Sequence, residues 1–141
     1  MHVTVYGQES FAVNGVSFDM AYVSGGEFTM GTINGEVIYP DNLGDPHMVR
    51  LTPYYIGVTE VTQELWKAVM GDNPSYCSPT NGFAENLQRP VETVSWEDCQ
   101  EFIARLNELT GRQFCLPTEA QWECAARGAK KGHGYTYAGS N

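Results

Sequence analysis

The sequence predicts an α+β domain with an irregular, loop-rich plan. Three observations carry that prediction. Short extended segments with turn signals crowd the first sixty residues, capped amphipathic helices follow them, and strands and helices never alternate as regular βαβ units. Two connections, near residues 31–47 and 72–89, are also far longer than ordinary loops in compact domains, which marks them as functional or irregular.

The elements follow in order. Phe11 to Phe18 reads as a hairpin, because Asn14-Gly15 supplies the positive φ angles of a type I′ turn between two apolar segments. Asp19 to Val23 continues the second strand. Ser24-Gly25-Gly26 turns the chain, and Glu27 to Met30 forms another short strand. Met48–Leu51 and Tyr54–Val58 are strands joined by Thr52-Pro53. Thr62 is a helix N-cap, and its helix runs through Leu65, Trp66 and Val69 to Gly71.

A second helix starts at Ser95, with Asp98 completing a capping box, and ends at Gly111. Phe102, Ile103, Leu106 and Leu109 form its apolar stripe. Gln113–Leu116 is a short extended stretch. Thr118 and Gln121 box the start of a third helix, with Trp122, Ala125 and Ala126 on its inner face and Gly128 at its end. Tyr135–Tyr137 begins a further strand.

Composition bounds the function. A chain of 141 residues is one domain in size, and 42% apolar residues support a packed core. With 17 acidic against 8 basic residues the net charge is -9, which disfavours nucleic acid and anionic membrane surfaces as partners. No apolar run reaches the length of a membrane span. The first residues, Met1 to Gly7, show neither a basic nor a long apolar export segment, and the compartment stays open.

Cys77, Cys99, Cys115 and Cys124 form no C-x-x-C pair, so neither a zinc knuckle nor a dithiol redox site is indicated. Cys99, Cys115 and Cys124 fall among apolar neighbours and read as buried free thiols, with a disulfide left open by the sequence. His2, His47 and His133 are dispersed, and His47 suits a structural hydrogen bond at a strand start. Glu119 lies in a first helical turn, where the helix dipole accounts for it. Glu60 and Glu92 precede caps and suit backbone N–H groups. No residue in this set assembles a catalytic, cofactor or metal constellation.

Four segments in order carry a family resemblance: Val23–Gly31, Pro46–Leu51 leading into Tyr55–Trp66, Arg89–Cys99 and Leu116–Gly128. Together they resemble the formylglycine-generating enzyme, or sulfatase-modifying factor, family. The resemblance covers residues 18–141 and leaves 1–17 as an N-terminal hairpin extension of a single partial domain. It implies a formylglycine-generating-enzyme-like fold, itself similar to C-type lectins, and here incomplete.

Most of the signature has a structural task. Gly25 and Gly26 turn the chain. Thr62, Ser95 and Thr118 cap helices. Trp66, Trp96 and Trp122 are large apolar bodies whose N–H needs a partner when buried. Pro90 and Pro117 restrict the backbone just before the next element. The chain departs from the family where Cys115 replaces an arginine, Cys124 replaces a tyrosine, and Ala129 follows Gly128.

What the resemblance implies for chemistry is specific. Family enzymes oxidise a sulfatase cysteine to formylglycine with oxygen and a copper ion held by two cysteines. Those cysteines and the calcium ligands belong to the second half of the family domain, and none is matched here. Copper and calcium are therefore expected only in the complete family domain, and the chain by itself is expected not to be an enzyme. Two other roles remain: the scaffold half of a longer enzyme, or a non-catalytic module presenting loops 31–47 and 72–89 to a protein, peptide or glycan. Tyr39, Tyr76 and Phe83 are the candidate binding residues, because aromatics among Asn and Asp suit recognition. Apolar faces meant for the unmatched half would make the isolated chain self-associate.

Overall fold

The computed structural model describes residues 7–31 and 46–128. Strands β1 (Gln8–Val13), β2 (Val16–Val23), β3 (Gly26–Met30), β4 (His47–Leu51) and β5 (Tyr54–Gly57) precede helices α1 (Gln63–Met70), α2 (Trp96–Thr110) and α3 (Glu119–Ala126). The fold is α+β. β2 is the central strand of a three-stranded sheet in the order β1-β2-β5, and β3 pairs with β4 in a separate two-stranded sheet. The described residues fall into two compact units. One comprises Gly7 with residues 21–31, 46–56 and 117–128; the other comprises Gln8–Met20 and Gly57–Leu116.

The second unit holds the apolar core. Asn14 and Gly15 take φ of 48° and 83°, and the hairpin turns as its Asn-Gly step predicts. Asn14 Nδ2 then donates to the Ala68 carbonyl at 2.7 Å and ties the turn to α1. Val13, Leu65, Trp66, Val69, Phe102 and Leu106 form one buried cluster. Trp66 and Phe102 stack within it, with centroids 4.9 Å apart and rings nearly parallel. Each buried apolar side chain of this cluster contributes about 1.5–3 kcal/mol, and the stack joins α1 to α2.

At the rim, Phe11, Phe18 and Phe114 meet at centroid distances of 5.3–5.7 Å. Asn107 holds Phe114 there by accepting from its amide at 2.7 Å and donating to its carbonyl at 3.0 Å.

The first unit is organised by backbone contacts. β3 and β4 run antiparallel with Glu27 opposite Arg50, Phe28 opposite Val49 and Thr29 opposite Met48. Gly25 takes φ of +64°, and a Cβ there would lie 2.5 Å from the Leu51 carbonyl oxygen. Only glycine suits this crossing, since both the dihedral and the space exclude a side chain. α3 packs on β3 and β4, and Tyr54 Oη donates to the Gln121 carbonyl at 2.6 Å. Buried Cys124 lies beside that phenol. Burial, with the neighbouring thiol, pushes the Tyr54 phenol well above the usual range.

The helix ends match expectation. Thr62, Ser95 and Thr118 accept from Leu65, Asp98 and Gln121 amides, and both capping boxes close, the one at Ser95 with Asp98 in place of a longer acid. Gly71 and Gly111 end their helices in the left-handed region.

Other expectations are corrected. Leu109 is 51% exposed and Trp122 61% exposed, so neither lies on an inner face; Phe102 and Leu106 of the expected α2 stripe are buried, and Cys124 is the buried residue of α3. Trp96 is exposed as well, and Trp66 alone of the three tryptophans is core. Gln113–Leu116 forms no strand, since Phe114 spends its backbone groups on Asn107. Cys115 is exposed and Cys99 half-buried; only Cys124 is a buried thiol, and all four cysteines are free. Tyr135–Tyr137 lies outside the described residues.

Candidate functional site

The candidate site is the connection from Gly71 to Pro90. It is irregular apart from a single 3-10 turn at Pro79–Asn81 that ends at Gly82 with φ of 82°. The segment is pinned to α1 and to the strand-like run before α2. Gln63, the first residue of α1, is 1% exposed. Its side-chain amide donates to the carbonyls of Cys77 (3.3 Å) and Pro90 (3.4 Å), and its oxygen accepts from Asn73 Nδ2 at 2.9 Å. Asn73 in turn accepts from the Ser75 amide, and buried Ser75 accepts from the Glu92 amide. Thr62 and Pro90 form an isolated antiparallel bridge, and the Gln63 and Glu64 amides donate to the Arg89 and Leu87 carbonyls at 2.9 Å. Those two amides are otherwise among the unpaired donors of a helix N-terminus, so the loop and the helix complete each other.

Glu92 closes the far side. Its Oε1 accepts from the Cys77 amide at 2.8 Å and its Oε2 accepts from the Thr93 hydroxyl. These bonds hold the carboxyl below its ordinary value, with the Thr93 hydroxyl the larger cause. Thr93 itself has φ of 63°. A β-branched residue in the left-handed region is strained, and it persists because the Glu92 contacts and the Ser95 cap on either side fix its peptide.

On this pinned frame two aromatic side chains stand out. Tyr76 is 61% exposed and Phe83 38% exposed. Their rings meet edge to face, with centroids 5.7 Å apart at an interplanar angle of 69°. The Arg89 guanidinium lies over the Phe83 ring at 5.8 Å from its centroid and donates from Nη1 to the Cys77 carbonyl at 3.4 Å. Tyr76 and Phe83, the two candidates expected from the sequence, are thus brought together. Tyr39, the third, lies outside the described residues.

Arg89 and Gln63 are the residues that sequence reasoning passed over. Gln63 had a signal: it shares the three-residue spacing of Trp66 and Val69, where a polar side chain must be buried with partners. Arg89 stands in a matching segment and gave no such sign.

Among the described residues no group of three His, Cys, Asp or Glu side chains converges as a metal site. Burial pushes the Cys124 and Cys99 thiols up, which disfavours the thiolates that copper(I) requires. No helix among the described residues is long and apolar enough to cross a membrane.

The fold class and the ordered segments define a family-level assignment. The chain belongs to the sulfatase-modifying factor enzyme 1-like (FGE-sulfatase) family, matching its domain over residues 9–141. It is 33% identical over 160 residues to the chaperone protein LppX of Paenibacillus barcinonensis, with 89% of this chain and 51% of that protein covered. It is 42% identical over 59 residues to the inactive C-alpha-formylglycine-generating enzyme 2 of Bos taurus, covering 42% of this chain and 18% of that protein.

Among solved structures it is similar to Treponema denticola variable protein 1, with a TM-score of 0.75 and 29% identity over 95% of this chain and 60% of that one. It is also similar to PvdO from Pseudomonas aeruginosa, with a TM-score of 0.65 and 25% identity over 81% of this chain and 49% of that one. The chain spans about half the length of LppX and of PvdO.

Proposed function

We propose that this chain acts as a binding module of its family, with the loop between α1 and α2 as its recognition surface. The observation that carries the proposal is the exposed Tyr76–Phe83 pair on a loop whose backbone is held by buried Gln63, Ser75 and the Glu92 carboxylate. Exposed aromatics lose little entropy on binding when their loop is already fixed, so such a surface favours recognition. The name of one relative, a chaperone, agrees with a binding role. Peptide and glycan arrays probed with the whole chain test this. Binding that falls at least tenfold in a Tyr76→Ser, Phe83→Ser double variant supports the module; a signal at background, or one the double variant retains, overturns it.

Cys99 and Cys124 support no catalytic role: burial pushes their thiols toward the protonated form, and they lie apart in the chain, on α2 and on α3. A sulfatase-motif cysteine peptide incubated with the chain, copper and oxygen is expected to stay unmodified. Formylglycine detected by mass spectrometry would overturn that expectation.

A further inference from the structure

Resting on the recognition surface proposed above, we infer that the Tyr76–Phe83–Arg89 corner takes a peptide segment in which a compact apolar side chain is followed by a single carboxylate. The carboxylate is the partner that Arg89 lacks. Ion pairs among the described residues join Arg105 to Glu101 and Arg127 to Glu123, and none involves Arg89. Two acids of the pinned frame are otherwise engaged: Glu64 accepts from Gln88 Nε2, and Glu92 accepts from the Cys77 amide and the Thr93 hydroxyl. The Arg89 guanidinium makes one long bond, 3.4 Å to the Cys77 carbonyl. A guanidinium carries five N–H donors in a planar fork, so the rest can meet a carboxylate bidentately.

The aromatic geometry selects peptide over sugar. A sugar ring stacks on an open, flat aromatic face. Here the guanidinium lies over the Phe83 ring, and the Tyr76 ring meets Phe83 at 69°, which makes a corner and no flat platform. A corner of two rings fits a compact side chain such as leucine. Tyr, Phe and Arg are also the residue types enriched in protein-binding surfaces. The net charge of -9 limits the acid to one. A run of carboxylates would meet long-range repulsion, whereas one carboxylate at the guanidinium gains a local pair.

The test uses the whole chain, ¹⁵N-labelled, titrated with acetylated Ala-Leu-Glu-Ala amide, with its Ala-Leu-Gln-Ala counterpart, and with a glucuronic-acid disaccharide. The glutamate peptide is expected to shift the loop amides and the Arg89 Nε–H, and to bind roughly tenfold more tightly than the glutamine peptide. Arg89→Gln is expected to equalise the two peptides, Arg89→Lys to keep part of the difference, and Tyr76→Ala to weaken both alike. Equal affinities on the wild-type chain, a glutamate preference that survives Arg89→Gln, or binding of the disaccharide without the peptides would each overturn the inference. Equal, Tyr76-dependent binding of both peptides overturns this partner chemistry while leaving the recognition surface standing. No response of the loop to any probe, with arrays at background, removes both.

Discussion

Gly31 and Glu123 are 92 positions apart, and the Gly31 amide donates to Glu123 Oε1 at 3.0 Å. Arg127 completes the arrangement: its Nε pairs with the same carboxylate oxygen at 2.7 Å, and its Nη2 donates to the Gly31 carbonyl at 2.7 Å. The last turn of α3 thereby grips both polar groups of one buried glycine at the end of β3. This explains why a Met-Gly step and a Glu-x-x-x-Arg-Gly helix occur together among the ordered segments.

Arg127→Ala leaves the Gly31 carbonyl without its donor and the Glu123 carboxylate without its ion pair, with only the Gly31 amide still donating to it. A loss of about 1–3 kcal/mol is expected, read as a lower midpoint in urea denaturation. Arg127→Lys keeps the charge but not the planar fork, so it should recover only part of that loss. A wild-type midpoint for the alanine variant would refute the clamp.

Gly25 and Gly15 separate two costs that glycine can hide. Gly25→Ala combines φ of +64° with a Cβ 2.5 Å from the Leu51 oxygen, while Gly15→Ala has φ of +83° and open space around it. The Gly15 change should cost on the order of 1 kcal/mol, from the dihedral alone. The Gly25 change should cost clearly more, because β4 must also move. Equal midpoints for the two variants would contradict the close approach.

Glu92 should make stability depend on acid. Its folded pKa is depressed, so the stabilisation is present above the unfolded value and is lost as pH falls through the folded one. Wild type should therefore exceed Glu92→Gln in denaturation midpoint at pH 7, and the gap should close as pH drops below the ordinary carboxylate range. A gap that is unchanged at pH 3 would show that the carboxylate does not pin the loop.

The cysteines should differ in reactivity. Cys115 is exposed, whereas Cys124 is buried and its thiol is pushed up by that burial. Iodoacetamide at pH 8 should label Cys115 first and Cys124 last, as followed by peptide mass mapping. Early labelling of Cys124 in the folded chain would contradict its placement.

What was legible in the sequence was local. The Asn14-Gly15 turn, the caps at Thr62, Ser95 and Thr118, and the glycine stops at Gly71 and Gly111 all depend on residues within about four positions of one another. The exposed aromatics of the second loop were also legible, since Tyr76 and Phe83 stand in a stretch that builds no helix stripe.

Only the tertiary structure decided what meets what. Spacing alone puts Leu109 and Trp122 on inner faces, yet the roll of α2 and α3 is set by packing partners elsewhere in the chain, and both side chains end exposed. Likewise the spacing of Gln63 marks it for burial but does not say that it will hold Cys77, Asn73 and Pro90, nor that Arg89 will lie over Phe83. The sequence by itself determined the turns, caps and family. The pinned loop and its aromatic corner came from long-range hydrogen bonds and burial, which no local pattern encodes.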